Sequence, residues 1–110
     1  MATRNIIYGN TMLSLQNHVI STTFGEIALS ESEMRIFHYL LKNKRSTVER
    51  SHLSSIIDCN RRNLSTRFVD VHVSSLRKKL LRINSNLVIE TAWGRGYRLI
   101  SKDGNENSEI

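Results

Sequence analysis

Cysteine occurs once in the 110 residues, as Cys59, so no internal disulfide can form. Cys59 also has no metal-ligand companions at useful spacing. No apolar run approaches the roughly 20 residues that span a membrane, and the N-terminus lacks the hydrophobic stretch of a signal peptide. A reduced, cytoplasmic setting is the expectation. A glycine-rich phosphate loop and a nucleophile motif are both missing, and His18, His38, His52 and His72 are scattered along the chain. An enzyme is therefore the weakest reading, and no cofactor, metal or small-molecule ligand is expected. Internal repeats and low-complexity segments are absent too. What remains is a chain long enough for one compact domain and too short for two. Its hydrophobic fraction of 39% suits an ordinary globular core.

The net charge of +6 is unevenly placed. Residues 61–98 carry Arg61, Arg62, Arg67, Arg77, Lys78, Lys79, Arg82, Arg95 and Arg98 against only Asp70 and Glu90. The first 60 residues are nearly balanced, and the tail from Ser101 is acidic. Such a cluster is either an electrostatic footprint for a polyanion, nucleic acid first, or a solvated basic face. A membrane surface fits less well, because the basic segment has no aromatic anchors on its other face.

The pattern along the chain is that of an α+β fold. Asn5–Tyr8, Thr11–Leu15, His18–Thr22 and Glu26–Leu29 read as short strands separated by turn-prone residues, a small antiparallel meander. Ser30-Glu31-Ser32-Glu33 matches a capping box and opens a helix whose apolar face is Met34, Ile36, Phe37, Leu40 and Leu41. Thr47–Glu49 fits a short strand and Arg50–Asp58 a second helix. A third helix follows over Arg67–Ile83, with Ser65 or Thr66 as its cap. Leu87–Thr91 and Tyr97–Ile100 form a closing hairpin around Ala92–Gly96, with glycines where a tight turn needs them. Residues 101–110 read as a polar, disordered tail.

The third helix carries the most chemistry. At about 100° per residue, Val69, Val73, Leu76, Leu80 and Ile83 fall within about 40° of one direction, a core stripe. Arg67, Val71, Ser74, Ser75, Lys78 and Arg82 fall on the opposite side. Valine is a mediocre helix former, and a solvated face has little use for Val71. In a major groove the same valine meets a thymine methyl, small residues allow close approach to base edges, and the basic ends straddle phosphates. The competing explanation is a plain amphipathic helix with Lys and Arg for solubility. Directly after it, the hairpin tip presents Trp93 and Arg95. Arginine there suits the narrow, electronegative minor groove. Trp93 either shares that contact or folds back onto the domain.

Two stretches resemble a known family. Phe68–Leu80, FVDVHVSSLRKKL, closely resembles the recognition-helix signature of the OmpR/PhoB winged-helix effector domains. Ile89–Leu99, IETAWGRGYRL, is similar to their strand–wing–strand ending, and Leu29–Glu33 to their first-helix entry. The resemblance runs from about residue 5 to 100. It implies a winged helix-turn-helix fold: an N-terminal four-stranded antiparallel sheet, three helices and a C-terminal hairpin wing. It also implies sequence-specific double-stranded DNA binding in bacterial transcription control. Carried over residue by residue, Arg67, His72, Arg77, Thr91 and Tyr97 match phosphate-holding positions, and Phe68, Val71 and Ser75 match positions facing base edges. Tyr97 is equally readable as a core residue with a surface hydroxyl. The loop Cys59–Thr66 corresponds to a segment through which some members touch RNA polymerase. The family further implies two copies side by side on tandem half-sites.

Some residues depart from the family's pattern. Ser74 and Ser75 stand where long basic side chains are common, Trp93 where an arginine often reaches the minor groove, and Asp58 where an aromatic is usual. The strands begin almost at Met1, leaving no room before them for the receiver domain most members carry. The chain is thus expected to be either a stand-alone regulator or one domain of a longer protein, as in ToxR-like regulators. The alternative function is a winged-helix interaction module that docks a partner regulator or polymerase with little direct DNA contact. The two serines lean toward it, and the basic cluster leans against it.

Overall fold

A computed structural model describes residues 4–57 and 66–102. Four short strands come first, β1 (Asn5–Tyr8), β2 (Thr11–Ser14), β3 (Val19–Thr22) and β4 (Gly25–Ala28), paired antiparallel in chain order. Leu13 and Ile20 face each other across β2 and β3 and are fully buried, as is Tyr8. His18, expected to begin β3, instead has φ 55 and closes the preceding turn. A left-handed residue cannot continue a strand, so β3 starts at Val19.

Helix α1 (Glu31–Lys42) begins as the capping box predicts. The Ser30 hydroxyl accepts the Glu33 N–H at 3.2 Å, and Glu33 Oε1 accepts the Ser30 N–H at 2.8 Å. Its face of Ile36, Phe37 and Leu40 is wholly inaccessible to solvent. Strand β5 (Thr47–Glu49) leads into α2 (Arg50–Ile57), which buries Leu53. Helix α3 (Arg67–Arg82) follows, and β6 (Leu87–Ala92) and β7 (Gly96–Ser101) complete a second antiparallel sheet in the order β5-β7-β6. The expected cap at Thr66 does not form: that residue is itself helical in conformation and its side chain caps nothing. Ser65 and the rest of the loop 59–65, including its proposed polymerase contact, lie outside the described residues.

The two glycines of the closing hairpin have different jobs. Gly94 sits at φ 76 in the tip, where the turn requires a left-handed residue. Gly96 does not serve the turn. A Cβ there would stand 1.9 Å from the Val48 carbonyl oxygen, so β7 passes β5 more closely than any side chain allows. The strand also outlasts its expected end at Ile100. Ser101 is buried within β7, and the Lys102 N–H reaches the Asn86 carbonyl at 2.7 Å, so both belong to the fold rather than to a tail. The remaining tail, 103–110, lies outside the described residues.

All these elements share one core. Tyr8, Leu13 and Ile20 of the first sheet, the α1 stripe, Leu53, and Val48, Ile89 and Leu99 of the second sheet surround Val69, Val73, Leu76 and Leu80 of α3. The C-terminal end of α3 is then pinned to the first sheet by polar contacts. Thr22 Oγ1 donates to the Ile83 carbonyl at 2.5 Å, Asn10 Nδ2 donates to the Asn84 carbonyl at 3.0 Å, and the Asn86 N–H donates to Asn10 Oδ1 at 2.9 Å. Helix α3 is thereby fixed in orientation at both its buried face and its end.

Candidate nucleic-acid interface

The face of α3 opposite the core is open. Arg67, Ser74, Lys78 and Arg82 are exposed, Phe68 is half exposed, and Val71 is 60% exposed at its centre. With Asp70 and Ser75, four of these residues (Arg67, Val71, Ser74 and Lys78) line a shallow concavity of about 460 Å³. The helical projection therefore placed both faces correctly, with one exception.

That exception is Ser75, expected to point outward with Val71. It is half-buried, and its hydroxyl donates to Glu33 Oε2. The reason lies in α1. Glu33 is a buried carboxylate, and it must be surrounded by donors to remain charged there. Lys79 Nζ supplies one at 2.7 Å while also donating to the Ala28 carbonyl at 2.9 Å. Burial alone would raise the Glu33 pKa, but the bonds from Lys79, Ser75 and the Ser30 backbone outweigh it and hold the group below its ordinary value. Ser75 and Lys79 thus serve the α1–α3 seam, at the rim of the outward face.

A second polar node lies under the N-terminal half of α3 and was not anticipated. Asp70 receives Arg50 through two bonds, Nε at 3.1 Å and Nη2 at 2.5 Å, and the Tyr97 hydroxyl at 2.6 Å. One carboxylate therefore joins α2, α3 and β7. Desolvation works against its charge, yet Tyr97 and Arg50 together lower its pKa. Tyr97 is 7% exposed. Burial and its bond to Asp70 push its pKa up to about 12, so the phenol keeps its proton and donates it inward. Of the two readings of Tyr97, the core position is the one observed, but its hydroxyl turns inward to Asp70 rather than to the surface, and its ring lies beside Arg77. The sequence did hold a clue: Asp70 is the lone acid in an otherwise basic helix.

Arg77 links α3 to the hairpin. Its Nε and Nη2 donate to the Ile89 carbonyl at 2.9 and 2.6 Å, Nη2 also reaches Thr91 Oγ1 at 2.9 Å, and its guanidinium lies 5.4 Å from the Tyr97 ring centre. His72 is half-buried on the opposite flank. At the hairpin tip Arg95 is exposed and Trp93 is 89% exposed, so the indole does not fold back. Among the described residues Lys79 is paired with Glu33 and Arg98 with Glu90, the latter at 2.7 Å. Arg67, Arg77, Lys78, Arg82 and Arg95 all lie on α3 or the hairpin. Among the described residues no group of three His, Cys, Asp or Glu is placed to hold a metal, and no helix is long and apolar enough to cross a membrane.

An amphipathic helix offering its polar face beside a two-stranded wing, on a core shared with a four-stranded sheet, defines a winged-helix DNA-binding domain of the transcription-regulator class. Residues 25–99 match the family described as "Transcriptional regulatory protein, C terminal". The chain belongs to that family, the OmpR/PhoB-type DNA-binding domains. The atypical response regulator protein ChxR of Chlamydia trachomatis serovar L2 is 36% identical over 102 residues, covering 93% of this chain and 44% of ChxR. The chain spans less than half the length of the curated relatives it matches. Among solved structures, the DNA-binding domain of response regulator AdeR, in complex with an intercistronic region, has a TM-score of 0.75 at 26% identity over 87% of this chain and 99% of that one. The DNA-binding domain of Escherichia coli CadC has a TM-score of 0.78 over 91% of this chain and 95% of that one; at 20% identity it speaks for the fold alone.

Proposed function

We propose that this domain reads duplex DNA in the bacterial cytoplasm by laying α3 in the major groove and setting the β6–β7 hairpin against the neighbouring minor groove or backbone. One observation carries the reading: Val71 is 60% exposed at the centre of a face edged by Arg67, Lys78 and Arg82, while the opposite stripe is almost wholly buried. In this arrangement Val71, Ser74 and Phe68 face base edges. Arg67, Lys78 and Arg82 meet phosphates at the groove's rims, with His72 on one flank and the Arg77–Thr91 pair on the other. Ser75 acts mainly by holding Glu33, and Tyr97 by fixing Asp70, so neither is assigned a base or phosphate.

Val71→Ala should leave the fold within about 0.5 kcal/mol of the parent, as for most surface changes. It should remove about 1–3 kcal/mol of discrimination at one or two base pairs. Competition binding over single-base variants of a site selected from random DNA measures this. A uniform loss across all variants, or none, would mean that the middle of α3 does not face the bases.

A single helix and wing cover only about 600–1,000 Å² of surface, a modest basis for picking one genomic site. Two copies on direct repeats, about one helical turn apart, would raise the effective concentration of the second. Inserting about five base pairs between the half-sites turns one copy to the opposite face of the duplex and should abolish cooperative binding. Unchanged affinity at the two-site fragment would exclude side-by-side cooperation.

A further inference from the structure

Trp93 is the sole tryptophan of the chain, and it stands 89% exposed. An aromatic side chain normally buries about 150–250 Å². Here that surface is not left over from a loose loop. The tip is closed by the Arg95 N–H donating to the Ala92 carbonyl at 2.9 Å, directly after the cross-strand pair Ala92 and Gly96. The Arg50 N–H holds the Arg95 carbonyl at 3.1 Å, Arg77 holds Ile89 and Thr91, and Gly96 is pressed onto the Val48 carbonyl. The hairpin is therefore braced from three sides and holds the indole away from the body of the domain.

The chemistry around the indole selects its partner. Residues 91–98 contain no carboxylate, Arg95 is exposed two residues after Trp93, Glu90 of β6 is paired with Arg98, and the adjacent acid is the exposed Glu49 of β5, across from Gly96. A flat apolar group flanked by a cation suits an electronegative groove with apolar walls. The minor groove is such a place, lined by sugars and base edges and attractive to arginine. The hairpin is also tied to the flank of α3, where Arg77 Nη2 donates to Thr91 Oγ1 at 2.9 Å, two residues before Trp93.

We propose that Trp93 is a wedge, which enters the minor groove beside the α3 footprint and presses between neighbouring base pairs. The proposal rests on the DNA-binding reading above and adds to it a mode of selection. A wedge must partly unstack a step, and pyrimidine–purine steps such as TA and CA resist least. This chain then chooses DNA partly by deformability, at positions where α3 touches nothing. That also offsets the short side chain of Ser74, which reads fewer bases directly, and the commitment of Ser75 to Glu33.

Because no other tryptophan is present, indole fluorescence reports this one ring. The 110-residue chain is titrated at low salt with two short duplexes of equal composition. One has TA and CA steps on both sides of its centre, and the other has the same bases rearranged into stiff A-tracts. Anisotropy of the end-labelled DNA measures binding, acrylamide quenching measures exposure of the ring, and energy transfer between the duplex ends measures bending. At saturation the indole should be protected from acrylamide, the flexible duplex should be preferred by about tenfold and it should be bent. Trp93→Ala, which removes an exposed side chain, should melt like the parent and still bind through α3, but without the step preference or the bend. Trp93→Phe should retain part of both. Binding with an indole as open to acrylamide as in the free protein would overturn the wedge alone and leave the ring to a protein partner. A Trp93→Ala variant that keeps the preference and the bend would overturn it equally. Failure to bind either duplex by anisotropy would instead remove the DNA-binding reading, and the wedge with it.

Discussion

Raising salt from about 50 to about 200 mM should weaken binding to any duplex by about 500-fold. Arg67, Arg77, Lys78, Arg82 and Arg95 line α3 and the hairpin, and Lys79 and Arg98 are paired with Glu33 and Glu90. If each of the first group displaces about one counterion, log K falls against log salt with a slope of about −4 to −5. Arg67→Ala should flatten that slope by nearly one unit on selected and random DNA alike, since phosphates carry no sequence. Arg77→Ala should do more damage. Its guanidinium also ties the Ile89 carbonyl and Thr91 to α3, so the substitution loosens the hairpin as well as removing a charge. Affinity that barely responds to salt would contradict the phosphate clamp and raise the rival reading, a module that docks proteins.

The salt response also tests how far composition alone could be trusted. The sequence located the basic cluster in residues 61–98 but could not say which charges face outward. Periodicity resolves a helix into two faces, and it separated Val69, Val73, Leu76 and Leu80 from Val71, Ser74 and Lys78 without error, because burial of α3 follows the 3.6-residue repeat directly. It failed at the rim. Ser75 turns toward Glu33, a partner 42 residues away, and no local pattern announces such a contact. Tyr97 is the same kind of case. Its resemblance to a phosphate-holding position was real at the level of sequence, but its hydroxyl is committed to Asp70, 27 residues earlier. The capping box at Ser30 was legible because both partners lie within one turn. Gly96 was legible only as a glycine; that it serves the approach of β7 to β5, and not the turn, needed the third dimension.

Leu76→Ala should destabilise the domain by about 2–5 kcal/mol. Leu76 is fully buried on α3, amid Val69, Val73 and Leu80 of its own helix and the inaccessible Ile36, Phe37 and Leu40 of α1. Helix α3 is also pinned at its C-terminal end to the first sheet through Thr22 and Asn10, which limits its freedom to settle into the space left by the missing side chain. The cavity should then remain partly open, placing the loss toward the upper part of that range. Small domains hold only about 5–15 kcal/mol in total, so about one third of the stability is at stake. Urea unfolding should show a lower midpoint with an unchanged slope, since the folded shape and its buried surface stay nearly the same. DNA binding by the folded fraction should persist, because no residue of the outward face has changed. Val71→Ala, only five positions earlier, is the paired control, with the opposite pattern of intact stability and altered base choice. If Leu76→Ala proves harmless while Val71→Ala unfolds the chain, the two faces of α3 have been exchanged, and the major-groove assignment falls with them.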